Sequence, residues 1–504
     1  DMFGGDQILE QLPADVADKL KVYDRKSELA RHTGNDDGDE DHVLDIQVKP
    51  GFLDKWYGDI EAQYQTKKRY SGAITASRLS DQDPHMIYAQ ANNANRYVDK
   101  TIGSTSNRNI DGDGKSQYGS YNYQHNWQTK GTQQYTSNRF NISANMGHSD
   151  GWNSGKTSTE TFFPNQEHTF GVKDTYRYKH NLKPQLEAKL FAYTDSANTI
   201  DVKVKASYEK ARKSYEEKSA SYGYQPDQFA YHSLKEALDA KPGDALYDRL
   251  ITRDSEYEST ELQQRGLNIS YIWQHFIGKK GSFMLGGYTN LSGTNEDTHT
   301  NHDVEYLREQ RNEKLWQFYD RSEHNLNTQF GASFEYWLGK KVYFNIFDNV
   351  RLNRSRIARN FFSDTDEQNV ANGTPTTADP ANTTRRLTHK WTNELTVKST
   401  ITPVKALMIM PMFKWNYSRE KANYHYGPLD TTAVRTSNTY EPSIFLKWKM
   451  SRVRNMDIAF AYNTSVPDLV STLGYRNTID PLHIYMGNPL LRNSNSHTLS
   501  LIHL

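Results

Sequence analysis

Segments with hydrophobic side chains at every second position recur along this 504-residue chain, and the connections between them switch strictly between short and long. In Leu267–Gln274, Leu267, Ile269, Tyr271 and Trp273 share one face while Asn268, Ser270 and Gln274 share the other, the period of a β-strand. A tight turn at Gly278-Lys279-Lys280-Gly281 returns the chain through Phe283, Leu285 and Tyr288, and the polar residues from about 291 to 313 read as a long loop. The unit repeats. Leu326–Leu338 turns at Gly339-Lys340-Lys341 into Val342–Ile346, followed by a polar excursion at about 354–386. Trp391–Thr400 turns at Thr402–Lys405 into Leu407–Met410, and Ser443–Met450 turns at Ser451–Asn455 into Met456–Tyr462. Upstream, Leu186–Thr194 turns at Ser196–Thr199 into Ile200–Ala206, where aliphatic residues alternate with charged ones, and further strands fit near 57–65, 70–80, 85–95, 119–129 and 137–148. About sixteen strands result.

Two architectures place alternating strands in sequence. A soluble β-sandwich does so, but it has no reason to put every long connection at one end. A transmembrane barrel has short turns on one side and long loops on the other, and closure satisfies every backbone group without water. The wiring therefore predicts an all-β transmembrane barrel, antiparallel and up-and-down.

Composition is compatible with that expectation. The mean hydropathy of -0.89 is low, yet a barrel needs only alternate strand residues to be apolar. No run of 18 apolar residues is present, which excludes a transmembrane helix. The 33 tyrosines and 9 tryptophans suit aromatic girdles at membrane–water interfaces, beside the ordinary preference of strands for aromatic residues. Lys+Arg and Asp+Glu both number 61, so no net field draws in nucleic acid, and zero cysteines exclude disulfides and thiolate metal sites.

Residues 1–50 differ from the rest of the chain. Leu12–Leu20 reads as a short helix with Pro13 in its first turn, Lys21–Asp24 and Val43–Lys49 as strands, and Gly34–Gly38 as a turn. Phe3-Gly4-Gly5-Asp6, Leu12-Pro13-Ala14-Asp15, Val22–Glu28, Thr33–Gly38 with Asp36, Asp37 and Gly38, and Leu44–Lys49 resemble the second half of the plug in TonB-dependent outer-membrane receptors of the Bacteroidota type. Tyr57–Ile60, Arg69-Tyr70 and Ala91–Arg96 resemble the opening barrel strands of that family. Val466-Pro467-Asp468-Leu469, Asp480-Pro481-Leu482 and Gly487-Asn488-Pro489-Leu490-Leu491 are similar to its late barrel signature. The resemblance implies a C-terminal plug piece at 1–50 and a barrel at 57–504, with about 16 strands of the family's 22, truncated at the C-terminus and lacking the first plug half and TonB box.

Catalytic patterns are absent: there is no G-x-S-x-G, H-E-x-x-H, P-loop or catalytic cysteine, and a non-enzyme is expected. Asn109, Asp111 and Asp113, followed by Gly114, match the opening positions of a calcium loop, but position 12 is Ser120 rather than Glu, and a plain Gly-Asp turn is the alternative. Asn35–Asp41 is denser in carboxylates and equally reads as a charged turn, and His299-Thr300-Asn301-His302-Asp303 reads as a solvated loop. In an expected loop at about 210–262, Ser233–Leu238 carries a capping-box start to a short helix, either an ordered lid or docking surface or a space-filler over the barrel mouth.

A lumen of this circumference needs a plug. The resemblance then implies an importer in the outer membrane of a Gram-negative bacterium that takes up a bulky solute such as a glycan, peptide or metal chelate. Periplasmic TonB would energise it, and a surface lipoprotein would be its partner. Two rivals are a receptor-like barrel serving as scaffold of an outer-membrane complex with surface lipoproteins, and a soluble β-rich binding protein or glycosidase, which needs paired carboxylates in a cleft.

Overall fold

The computed structural model describes residues 17–26, 40–49, 51–93, 96–101, 104–109, 113–129, 138–163, 168–225, 231–364, 379–427, 429–451, 454–477 and 485–503. A hairpin of β1 (Ala17–Lys26) and β2 (Glu40–Val48) forms a separate two-stranded sheet. Then come β3 (Trp56–Gln65), β4 (Arg69–Arg78), β5 (His85–Asn92), a small hairpin β6 (Arg96–Thr101) and β7 (Ser104–Asn109), β8 (Asp113–Trp127), β9 (Asn138–Phe162), β10 (His168–Tyr193) and β11 (Asn198–Tyr224). A short helix α1 (Leu234–Asp239) precedes β12 (Leu250–Ile277), β13 (Gly281–Tyr306), β14 (Arg311–Leu338), β15 (Val342–Asp364), β16 (Thr384–Val404), β17 (Leu407–Tyr426), β18 (Leu429–Lys449) and β19 (Asn455–Ser465). Two-residue strands β20 (Arg476–Asn477) and β21 (Tyr485–Met486) pair with each other, and β22 (Ser494–His503) ends the order.

One antiparallel sheet of 16 strands runs β3-β4-β5-β8 and then through every strand in turn to β19 and β22. The all-β, antiparallel expectation holds. Among the described residues β3 and β22 are not paired to each other, so the sheet has two edges.

Register explains the alternation. Phe140 stands opposite Leu190, Leu190 opposite Val202, Val202 opposite Tyr271, Tyr271 opposite Gly287, Gly287 opposite Phe330, and Phe330 opposite Val350. The next row passes through Ile200, Trp273, Leu285 and Ala332. Side chains directly across a ladder point the same way, so these rows form one apolar belt. The same face carries the row Phe334, Ile346, Val397, Phe413 and Pro442 and, farther along, Leu446, Ile458 and Leu501, although Asp348 opposite Ala332 also falls on it. Leu186 and Phe330 within it are each 51% exposed, so at these positions the described residues leave the belt uncovered. The opposite face is polar. There Glu187 accepts ion pairs from Lys189 at 3.2 Å and Lys203 at 3.3 Å, and Lys414 bridges Glu441 at 2.8 Å and Glu394 at 3.8 Å.

Several expected loops are strands instead. Residues 210–224 and 250–262 belong to β11 and β12, 291–306 and 311–313 to β13 and β14, and 354–364 and 384–386 to β15 and β16. The turn between β13 and β14 is only Leu307–Gln310, and His299–Asp303 lie in mid-strand. The alternation fades here because apolar residues become sparse on the belt face, while the backbone ladder continues unbroken from Thr252↔Tyr306 to Ile277↔Gly281. β12 and β14 reach 28 residues, far more than the roughly ten needed to cross a bilayer. Short turns fall near their expected places, at Gly278–Lys280, Gly339–Lys341 and Lys405–Ala406.

The expected helix over 12–20 is also corrected where it is described. Ala17–Leu20 are the start of β1, where Asp18-Lys19-Leu20-Lys21-Val22 alternates with period two and gains a partner in β2, Leu20 facing Ile46 in the register. Helix α1 is present and its capping box is complete: Ser233 Oγ accepts the Glu236 N–H at 3.3 Å, and Glu236 Oε2 accepts the Ser233 N–H at 2.7 Å. It does not sit over the polar face. Ala237 packs with Phe170, Val172, Ala220, Tyr222 and Leu250, whose strand positions continue the belt face, and Arg253 Nε donates to Ala237 O at 3.0 Å. Neither the lid nor the mouth-filling expectation fits that placement.

The cap sets a pH dependence. The backbone and hydroxyl of Ser233 hold the Glu236 carboxyl below its ordinary 4.5, so its contribution is complete above that value and is lost as pH falls through the lower folded-state pKa. Ser233→Ala should cost the helix about 1 kcal/mol. Protection factors of the amides of residues 234–240, with intrinsic exchange at each pH divided out, should fall in that variant at neutral pH and in the unaltered protein on acidification; equal protection in both would refute the cap.

Candidate functional site

The polar face of the sheet encloses a cavity of about 500 Å³. It is lined by inward positions of consecutive strands: Asn145 on β9, Lys183 and Gln185 on β10, Ser207 and Glu209 on β11, Gln264 on β12, and Asn290 and Ser292 on β13. These residues pair in register, Gln185 with Ser207 and Asn145, and Ser207 with Gly266, so period two alone sends them all to one side. Gly147 and Gly266 leave the room: a Cβ on Gly266 would meet Ser207 Oγ at 2.7 Å. A second cavity of about 350 Å³ shares Gln264 and Thr294 with the first and adds Lys213, Glu296, Arg321 and Glu323. Its charges are mutually compensated, since Arg321 bonds Glu296 at 3.4 Å and Glu323 at 2.5 Å, and Lys183 pairs with Glu209 at 3.1 Å in the first. Balanced cations, carboxylates, amides and hydroxyls in a concave wall suit a polar, hydrogen-bonding solute of no strong net charge.

The late motif folds over the same face. From β19 the chain passes through Leu469 and Val470, which pack against Ala422, Tyr424 and Tyr426 on the polar side of β17. Arg435 of β18 anchors this segment: its Nη2 donates to Pro467 O at 2.5 Å and to Glu420 Oε2 at 3.2 Å. Gly487 N donates to Tyr475 O at 3.0 Å, Asn488 N to Ser471 O at 2.8 Å, and Asn488 Oδ1 accepts the Leu490 N–H at 2.9 Å. Gly487 is required by packing, because a Cβ there would lie 1.7 Å from Leu473 O. Pro489 stands beside Gly474, 3.9 Å from where a Cβ on that glycine would sit. Thus Gly487, Asn488 and Pro489 build a loop turned in over the polar face.

Most of the other expected site residues fall outside the described residues. Leu12, Pro13, Ala14, Asp15, Asp36, Asp37 and Gly38 lie outside the described residues, as does Asp111. Asn109 ends β7 and Asp113 begins β8, where the Asp113 carboxylate is ion-paired with Arg69. A calcium role for Asp113 therefore has to displace a guanidinium. His302, in β13, pairs with Asp254 at 2.9 Å, and the His299 ring lies 4.5 Å from that of Phe318, centroid to centroid. The cavity residues Lys183, Ser207, Glu209 and Gln264 were not singled out by sequence reasoning, because they fall in stretches read as loop or as unremarkable strand.

No family model and no curated protein matches the chain. Among solved structures it is similar to the ferric yersiniabactin uptake receptor FyuA from Yersinia pestis, at 10% identity and a TM-score of 0.16 over 89% of this chain and 82% of that one. It is also similar to the outer membrane transporter YddB from Escherichia coli, at 9% identity and a TM-score of 0.17 over 91% of this chain and 74% of that one. A variant of the ferric enterobactin receptor PfeA from Pseudomonas aeruginosa gives 10% identity and a TM-score of 0.18 over 98% and 86%. Likeness at this level does not establish a shared function.

Gly487→Ala should force the inward loop off Leu473 at a cost of about 1–3 kcal/mol. Limited proteolysis should then cut between residues 466 and 491 faster than in the unaltered protein, while Gly119→Ala, where a Cβ meets nothing within 4 Å, should leave the digest unchanged.

Proposed function

We propose that this chain is an outer-membrane transporter that admits a bulky polar solute past a plug formed by the amino-terminal segment. The observation that carries the reading is the uncovered apolar belt. On β16 it runs from Trp391 to Ile401. Ten residue steps at about 3.3 Å give roughly 33 Å along the strand, or about 25 Å in height at a tilt of ~40°, the apolar band expected of an outer-membrane barrel. Among the described residues no helix is long and apolar enough to cross a membrane, so the crossing falls to strands. A soluble protein rarely leaves more than a few hundred Å² of contiguous apolar surface open.

Aromatic residues mark the belt's margins. Trp273 stacks on His275 at 6.1 Å and Phe334 on Tyr336 at 5.9 Å at the short-turn end, while Trp391 meets Tyr417 edge-on at 5.4 Å toward the other. Such rings settle at headgroup depth. The polar face carries the cavities, the late loop and the compensated charges that a solute path requires. The first fifty residues, including the β1–β2 hairpin, are read as part of the plug on the strength of their resemblance to that domain. The solute is a glycan, peptide or metal chelate, and a periplasmic TonB-type partner supplies the pull. The chain performs no catalysis in this reading.

Two arginine substitutions test the orientation of the faces. Val202→Arg, at mid-belt, should destabilise the protein in lipid by about 2–4 kcal/mol, whereas Asn290→Arg on the polar face should be near neutral. Urea unfolding in vesicles reads both, and equal costs would overturn the assignment of faces. Uptake of a panel of oligosaccharides, oligopeptides and ferric chelates by cells carrying the full-length protein, with and without the energising partner, tests transport itself.

A further inference from the structure

Three metal-ligating side chains meet on the belt side of the sheet, one row beyond its apolar rim. The last apolar row there pairs Met146 with Pro184; the next positions are His148, opposite Leu182, and Asp150, opposite His180. His148 and Asp150 are two residues apart on β9 and so share a face, and register brings His180 of β10 beside them. One ligand atom from each of His148, Asp150 and His180 lies within 4.8 Å of the others. Asp150 Oδ1 accepts from His180 Nδ1 at 2.7 Å, and Asp150 Oδ2 stands 3.6 Å from His148 Nε2. The imidazoles meet edge to face with centroids 5.0 Å apart.

From this juxtaposition we propose that His148, Asp150 and His180 form a binding site for a divalent transition metal of the zinc class. The donor set is two imidazole nitrogens and one carboxylate, which suits zinc, copper(II) or nickel, whereas calcium and magnesium require oxygens. Tetrahedral zinc places its ligands about 3.3 Å apart, from zinc–nitrogen distances of ~2.0–2.1 Å. The two separations, 2.7 Å from Asp150 Oδ1 to His180 Nδ1 and 3.6 Å from Asp150 Oδ2 to His148 Nε2, bracket that value. Tyr178 supplies the outer support: its hydroxyl donates to Asp150 Oδ1 at 3.1 Å and fixes the carboxylate.

His180 and Tyr178 both bond the same carboxylate oxygen, Oδ1 of Asp150, which fixes its orientation toward the imidazoles. Two cations flank the site in register, Lys115 across β8 from Asp150 and Arg212 across β11 from His180. Arg212 is engaged with Glu261, which leaves Asp150 to the histidines. All three side chains are partly exposed, at 27%, 23% and 34%, so a fourth ligand, water or a partner's side chain, reaches the metal from solvent. The site lies on the opposite face from the cavities and is independent of the transport reading; either can fail alone.

Isothermal titration of the detergent-solubilised full chain with zinc chloride tests the proposal, with cobalt(II) absorption as a second readout. One saturable site is expected, together with intensified cobalt d–d bands. His148→Ala and His180→Ala should each weaken zinc binding at least tenfold and abolish the cobalt signal. Tyr178→Phe should weaken it less, and His302→Ala should change nothing. Circular dichroism confirms that each variant is folded. Absence of a saturable site, or zinc binding indifferent to both His148→Ala and His180→Ala, overturns the proposal, as does calcium competing at equal concentration.

Discussion

The structure depends on a backbone ladder that runs through sixteen strands without a crossover. Between the two edge strands β3 and β22, each strand's N–H and C=O groups are taken by its neighbours, which is what makes extended chain tolerable where water is absent. Because side chains alternate with period two, that ladder also fixes every side chain's face once the register is set. A slip of one residue in any hairpin would bring Lys203 and Lys205 to the belt and drive Val202 and Val204 into the polar wall. The tight turns at Gly278–Lys280 and Gly339–Lys341 pin the register, with Gly278 and Gly339 both at positive φ where other residues are strained.

Much of this was legible in the sequence, but only where the two faces of a strand meet different solvents. Leu267–Trp273, Ile200–Ala206 and Met456–Tyr462 announced their faces because one side must be apolar and the other wet. Beyond the belt that contrast disappears. Residues 210–224, 250–262 and 291–306 carry only scattered apolar side chains, such as Ala220, Tyr222 and Leu250 under α1, too few for a sustained alternation, so they read as loop although they are strand. The segment at 17–20 failed differently: a helical spacing of Val16 and Leu20 competed with alternation through Asp18–Val22, and pairing to β2 decided it.

The site residues divide the same way. Gly487, Asn488 and Pro489 could be singled out as a motif, yet what the glycine is for, the close approach to Leu473 O, exists only once β19 and the returning chain are placed. The cavity around Ser207 and Gln264 and the trio His148, Asp150 and His180 are products of lateral register between strands about thirty to eighty residues apart in sequence. Nothing within a single strand marks them, since His148-Ser149-Asp150 alone is an ordinary polar end to a strand.

The long hairpins have one further consequence. From Leu267 at the rim to Leu250, β12 continues for seventeen residues, roughly 55 Å of extended chain at ~3.3 Å per residue. Surface charge on a membrane is screened within ~8 Å at physiological ionic strength. An arriving molecule therefore meets the hairpin tips several screening lengths above the lipid headgroups. In the transporter reading proposed above, first recognition falls to the chemistry of those tips.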